Sequence, residues 1–527
     1  MRKIYTRWPV VEGYADRQSY QAGDVVEMRC SSRAPTVTAS VARVGQERVE
    51  VWRADGLIIG EHPYPDDAYA TGCGWPVAFT IDVDPGWASG FYEVSLHSEV
   101  ADGADGETDE TLETSTSEAF FVVRPSADSP SADAILVLAT NTYNAYNQWG
   151  GKCMYTGATK LSFDRPLERG YLRRPASPHE VPYDGRVMSV TDEPDEEHLQ
   201  LQEYLAEFDY PLWCASGGWH TWERRFVRWA EGAGLSLDFA VNSDLEFHPE
   251  VLEGQKLMLS VGHDEYWSAG MRDRADAFVE AGGSWAIFSG NTCFWQVRYE
   301  DDGRTIVCYK GDAQLHDPVR GTKDHQSLSS MWSLPSIGRP EAQTTGLSFT
   351  RGGYARVGKA TPRSSGGYSI HRPEHPVFEG TDLRYGDQLG IPAKIVGYEV
   401  DGCELTMLNG DPVPTYDDGT PTGLEVLATA PARLISITHD HCEAPVALWA
   451  GVDPPGDLEG VAAALFGAAS PENIARIAHN HAVIATFTKG KGRVFNAGCT
   501  DWSYGLDIDP LVQQVTRNVI RWLTTDA

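Results

Sequence analysis

The hydrophobic periodicity of this chain changes once, and that change restricts the folds open to it. Up to residue 125, the runs VVEMRCSS (25–32), TVTASVARV (36–44), RVEVWRA (48–54), VAFTIDV (77–83), GFYEVSLHS (90–98) and AFFVVRP (119–125) are short, alternating and Val-rich, and Gly, Asp and Pro separate them. Alternation of period two at this spacing predicts an immunoglobulin-like β-sandwich over residues 1–127. The acidic segment 101–118 reads as a solvated, disordered hairpin tip. RPSADSPSADA (124–134) is a Pro/Ser/Ala linker. Beyond it, continuous apolar runs (134–140, 237–245, 256–263, 284–290 and 433–439) alternate with helical patterns. The helices are expected near 198–208, over Trp222, Phe226, Trp229 and Ala230, over 269–281 with glycines closing it, and on the stripe Val512, Val515, Val519 and Leu523. AVIATFT and GRVFNAG read as a hairpin or neighbouring pair. This predicts a multidomain α/β protein whose second unit, 128–527, is a doubly wound sheet, with a Gly- and Pro-rich insertion at about 300–430.

Charge and cysteine content remove several functions. The formal net charge of −32 repels nucleic acid and anionic membranes. Nine cysteines without a CxxC pair argue against a disulfide framework or a cysteine-rich zinc site. No apolar segment has the length of a membrane span, and MRKIYTRWPVVEGY lacks the apolar core of a signal peptide, so the expected location is cytoplasmic. A homo-oligomer is the base-rate expectation.

In open α/β sheets ligands bind beyond the carboxyl ends of the strands. There the sequence places Asn141 and Tyr143, then His263, Asp264, Glu265 and Tyr266, then Asn291, then His439, Asp440 and His441. Taken singly, a tyrosine reads as core, His263 as a hydrogen-bonded structural histidine and Glu265 as a helix cap. Their convergence points to a site. HDEYW is not the HExxH of zinc peptidases, and GxSxG and Walker motifs are absent. GGSWAIFSGN (282–291) is similar to the nucleophile strand of glutamine-amidotransferase-like domains, but Phe288 holds the nucleophile position and Cys293 comes five residues later.

SFDRP (162–166), VGHDEYWS (261–268), FSGNT (288–292), CYK (308–310), GYEVDG (397–402) and GRVFNAGCTDWSYGL (492–506), together with ATNTYNAYNQWGG (139–151), resemble the large subunit of the N,N-dimethylformamidase family. The resemblance covers 134–527 and reaches the N-terminal sandwich more weakly. It implies one ferric iron held by two tyrosines and a glutamate, carried over onto Tyr143, Tyr183 and Glu265, with Tyr171 and Tyr146 as other candidates for the second tyrosine. It also implies His263, Glu399 and Asn291 as catalytic residues. His263 would take a proton from water, Glu399 would orient it, and Asn291 would hold the carbonyl oxygen. Phenolates and a carboxylate are hard anionic donors suited to ferric iron. The implied activity is hydrolysis of the C–N bond of a small amide, with a small accessory subunit as a possible partner. The amides around Tyr143 are expected to surround the metal ligands, and Trp149, Phe294, Trp295 and Trp502 to form an apolar wall. Two other readings stand beside this one: a non-catalytic binder of a ligand or carbohydrate, and another mononuclear-iron enzyme such as an oxidase.

Overall fold

The computed structural model describes residues 10–101, 112–126, 132–174, 210–356, 361–362, 364–436 and 457–525. It is a mixed α/β protein with several sheets. Two N-terminal sheets come first. One pairs Val11–Ala15, Val25–Ser32 and Val77–Asp82; the other runs Ser19–Tyr20, Leu112–Val123, Gly90–Ala101, Val37–Val44 and Arg48–Leu57. Their alternating side chains meet in one core, to which Val26, Met28 and Ile81 come from the first sheet and Val41, Val94 and Phe121 from the second. Residues 112–118 are part of a long strand paired with Gly90–Ala101, so the acidic segment is ordered on that side; 102–111 lie outside the described residues.

The largest sheet has nine strands among the described residues. Five are parallel, in the spatial order Leu237–Val241, Ala134–Leu138, Leu257–His263, Ser284–Gly290 and Gly492–Asn496. The first four are buried along their whole length, which explains their continuous apolar character. Numbered along the chain, the order is 2-1-3-4-5, so the winding reverses between Ala134–Leu138 and Leu257–His263. A crevice opens at such a reversal. Asn480–Lys489, Glu425–Ala432, Tyr368–Ile370 and Gln388–Leu389 then extend the sheet antiparallel. Part of the region expected as an insertion therefore continues the main sheet.

The helices Glu223–Gly232, Ala269–Ala281 and Pro510–Thr524 form where the periodicity predicts them. Gly282, at φ 121°, closes the second, and Val512, Val515, Val519 and Leu523 bury the last. Two of the expected strands change. The strand expected at 134–140 ends at Leu138 and gives way to a seven-residue helix, Thr140–Tyr146. Of the strand expected at 433–439, residues 434–436 are not in a strand and 437–439 lie outside the described residues; the strand here is the preceding Glu425–Ala432, antiparallel to Asn480–Lys489. The helix expected near 198–208 lies outside the described residues, as do His439, Asp440 and His441. No described helix is long and apolar enough to cross a membrane.

Candidate metal centre and catalytic site

Every residue of Thr140–Tyr146 is buried although most are polar. The asparagines fasten the chain. Asn141 Nδ2 donates to the Tyr266 carbonyl (3.0 Å) and Asn147 Nδ2 to that of Pro166 (2.9 Å), while Asn144 Oδ1 accepts from Arg165 (2.8 Å). These amides satisfy buried backbone and Arg165, and they are not grouped around a ligand set. Thr142 Oγ1 accepts from the Glu265 main-chain N–H (3.0 Å), tying the helix to the end of Leu257–His263.

Tyr146, in the last turn of that helix, faces Glu265. Its hydroxyl lies 3.1 Å from Glu265 Oε2 and 2.7 Å from the hydroxyl of Tyr155. Tyr155 donates to the same carboxylate, 2.8 and 2.9 Å from its two oxygens, and Trp295 Nε1 donates to Oε1 (2.7 Å). Three oxygen-bearing groups thus crowd within 2.7–3.1 Å of one another. Oxygen donors about 2 Å from a small hard cation stand about 2.8–3.0 Å apart at neighbouring corners of an octahedron. Among the described residues no three His, Cys, Asp or Glu side chains form a metal site, so a metal here would draw on the tyrosines. Burial and the adjacent Glu265 carboxylate push the phenols of Tyr146 and Tyr155 well above the usual range, so both are neutral donors without a cation. Lys310, in the CYK segment, holds its ammonium 3.2 Å from the Tyr155 ring centroid. Burial lowers its pKa, and Glu265 opposes that.

Tyr143 sits one helical turn earlier and faces the other way. Its ring packs on Phe120, and its hydroxyl faces Glu223 without meeting hydrogen-bond geometry. Tyr183 lies outside the described residues. Tyr171 is fully buried, and its carbonyl accepts from the His220 main chain (3.0 Å).

His263 ends its strand, and its Nε2 lies 2.6 Å from Glu399 Oε2 and 3.4 Å from Glu265 Oε2. Burial pulls the imidazolium down, but Glu399, Glu265 and the Ser216 carbonyl together push its pKa up to about 9. Burial raises Glu265, with His263 opposing. Asn291 Nδ2 donates to Glu399 Oε2 (3.0 Å). Its amide thus serves Glu399, and its Oδ1 has no partner among the described residues. The sequence logic of FSGNT becomes physical here. A Cβ on Gly290 would stand 2.3 Å from the Glu399 carbonyl oxygen, so only glycine lets the Glu399–Gly402 strand approach. Asn291 adopts φ 49°, a conformation asparagine tolerates. Thr500, just past the last parallel strand, donates its main-chain N–H to the Glu399 carbonyl (3.1 Å) and its hydroxyl to that of Gly397 (2.6 Å).

The structure therefore brings His263, Glu265, Asn291 and Glu399 together with the sequence candidates Tyr146 and Trp295, and adds Tyr155, Lys310 and Tyr398, whose hydroxyl lies 3.3 Å from His263 Nδ1. Of the expected aromatic wall only Trp295 touches these groups directly, with Phe294 packed on its ring. Trp149 donates to Glu12 (2.8 Å) and packs on Trp75, and Trp502 fills the core beside Phe288. Tyr155 was the residue hidden in the sequence, because GKCMYTG has no periodicity or motif that marks it.

The family model described as N,N-dimethylformamidase beta subunit-like, C-terminal, matches residues 38–517. The chain belongs to this family. The match reaches well into the N-terminal sheets, beyond the part where the sequence motifs lie. The family is named for a subunit of an amide-cleaving enzyme. A search of curated proteins found no match.

Proposed function

We propose that this N,N-dimethylformamidase-like chain is an iron-dependent amidohydrolase that cleaves the C–N bond of a small, N-substituted, formamide-like amide. The observation that carries the reading is the buried meeting of Tyr146, Tyr155 and Glu265 beside His263 in a chain of this family. Glu265 and Tyr146 are the ligands the geometry favours. The second phenolate comes from Tyr155, which stands in place; Tyr143 and Tyr183 rest on the resemblance alone. Ferric iron, when bound, would supply Lewis acidity toward an amide carbonyl and water.

The chain's own groups then divide the work. In its neutral form, which a cation on Glu265 would favour by offsetting that carboxylate, His263 accepts the proton of the attacking water at Nε2 and returns it to the leaving amine. Glu399, 2.6 Å away, stabilises the imidazolium in between. Asn291 fixes Glu399 through one amide hydrogen and keeps the other for the substrate oxygen. The burial of all these side chains strengthens each polar interaction.

The two N-terminal sheets with a common core support a sandwich unit over 1–127, and the 2-1-3-4-5 order supports an amidotransferase-like unit over 128–527. The subunit name of the family supports assembly with an accessory chain or a second copy, and the charge of −32 supports a cytoplasmic protein that binds neither nucleic acid nor membrane. The test is purified protein loaded with ferric iron and given N,N-dimethylformamide and related formamides without oxygen. Amine and formate released in equal amounts are expected. A protein that takes up no iron and releases no amine from any of them defeats the proposal.

A further inference from the structure

The SFDRP stretch carries a buried arginine, Arg165, that is 3% exposed. A guanidinium has five N–H groups in a planar fork. Here each one finds an oxygen. Nε donates to the Ser162 carbonyl (2.9 Å), Nη1 to those of Asn147 (3.0 Å) and Trp149 (2.5 Å), and Nη2 to the Asn144 carbonyl (3.2 Å) and its side-chain Oδ1 (2.8 Å). All five acceptors are uncharged carbonyl oxygens. Four of them flank Tyr146 at the end of the helix Thr140–Tyr146, where carbonyls lack helical partners and the helix dipole favours a positive charge. We propose that Arg165 is a positioning residue that clasps this helix end from outside the site and thereby holds the Tyr146 and Tyr155 hydroxyls on Glu265. The proposal rests on the hydrolase reading, in which these phenols serve the metal centre.

The clasp is anchored on one side and closed on the other. Ser162, which takes Nε, ends the strand Lys160–Ser162, paired antiparallel with Thr305–Val307. Pro166, next to Arg165, accepts from Asn147 Nδ2 (2.9 Å), so Asn147 is gripped at both its carbonyl and its amide. The Ala145 carbonyl, inside the grip, accepts from the Met154 N–H (2.9 Å), which ties the residue before Tyr155 to the same turn. Holding Asn144, Asn147 and Trp149 fixes the rotation of the chain between them, and Tyr146 then meets Glu265 (3.1 Å) and Tyr155 (2.7 Å). None of the five Arg165 bonds goes to either phenol, so the residue acts through the main chain and Asn144. Lysine is no substitute, because one ammonium brings three donors to five acceptors and has no fork.

The experiment compares wild type, Arg165→Lys and Asn144→Ala in two ways. One is 13C spectroscopy of metal-free protein carrying 13Cζ-tyrosine, with the two signals identified by their loss in Tyr146→Phe and Tyr155→Phe. The other is chelator competition for ferric iron. Arg165→Lys is expected to shift both signals and to weaken iron binding about 10–100-fold. Asn144→Ala removes one of the five acceptors and is expected to shift the Tyr146 signal less, in the same direction. A residue that only stabilised the fold would lower the urea midpoint and leave the signals of the folded protein in place. An Arg165→Lys protein with wild-type signals or wild-type iron affinity overturns the proposal. So does an Asn144→Ala protein whose Tyr146 signal does not move, and that comparison stands even if Arg165→Lys fails to fold. A wild type that takes up no iron would count against the hydrolase reading and leave the tyrosine signals as the test of the clasp.

Discussion

The helix Thr140–Tyr146 offers two tyrosines for the proposed iron ligand, and a pair of single-atom deletions distinguishes them. Tyr146→Phe removes a hydroxyl that lies 3.1 Å from Glu265 Oε2 and 2.7 Å from Tyr155. Tyr143→Phe removes one with no hydrogen-bond partner among the described residues. Without metal, Tyr146→Phe should cost about 1 kcal/mol, since Glu265 keeps Tyr155 and Trp295 as donors. Tyr143→Phe should be close to neutral, because its buried hydroxyl faces Glu223 without meeting hydrogen-bond geometry. With iron the two diverge. A ligand at 100 times its Kd stabilises a fold by about 2.7 kcal/mol. Losing even a supporting group around a metal costs about 10–100-fold in affinity. Loss of a ligand phenolate by at least 100-fold leaves about 0.4 kcal/mol at the same iron concentration. Over 527 residues, at about 2.1 cal/mol/K each, the unfolding entropy is roughly 1.1 kcal/mol/K, so iron should raise the wild-type Tm by only about 2–3 °C. The better assay is therefore the equilibrium iron content with the visible tyrosinate-to-iron absorption, calorimetry serving as the check. Tyr143→Phe should keep both iron and colour; Tyr146→Phe should lose them. A colourless Tyr143→Phe beside an iron-replete Tyr146→Phe would refute the geometric assignment and restore Tyr143.

Other perturbations test the surroundings. Burial raises Glu223 to about 8, with Tyr143 and the main chain opposing, so the folded state holds a proton the unfolded state has lost. Stability should therefore fall as pH rises from about 4.5 through 8, by at most roughly 5 kcal/mol at 1.36 kcal/mol per unit. Glu223→Gln should lessen the loss of stability between pH 6 and pH 9 in urea titrations, while the carboxyls of Glu12, Asp401 and Asp457, raised into the same range, keep the rest; an unchanged loss would contradict the assignment. Gly290→Ala would drive a Cβ into the Glu399 carbonyl and the main chain of Cys499 and Thr500, costing about 1–3 kcal/mol and most of the activity; full activity would mean that the strand can retreat. Trp295→Phe deletes the 2.7 Å hydrogen bond to Glu265 and should weaken iron binding about 10–100-fold in a chelator competition, with no effect expected if Glu265 is not a ligand.

The parallel strands were legible because burial on both faces leaves apolar runs with few interpretations, and their order is what gathers His263 and Asn291. The phase of the next element was not. ATNTYNAY reads as a strand tip whose amides surround metal ligands, yet Asn141, Asn144 and Asn147 are buried clamps on main chain and Arg165. Once those amides are spent on the backbone, the helix has a fixed rotation. That rotation points Tyr146 at Glu265 and Tyr143 at Glu223, although the two differ by only three positions. A motif identifies the segment but carries no information about which of two tyrosines one turn apart faces inward. Tyr155 was beyond reach for a related reason, since its place depends on a loop closed by Cys153 and Thr156 and not on a repeating pattern. Glu399 shows the complementary case. No periodicity marks it, but glycine is required at 290 because the Glu399 carbonyl, together with the main chain of Cys499 and Thr500, approaches there. Site residues of this kind are specified by the neighbours that make room for them, and substitutions at those neighbours test the site as directly as substitutions within it.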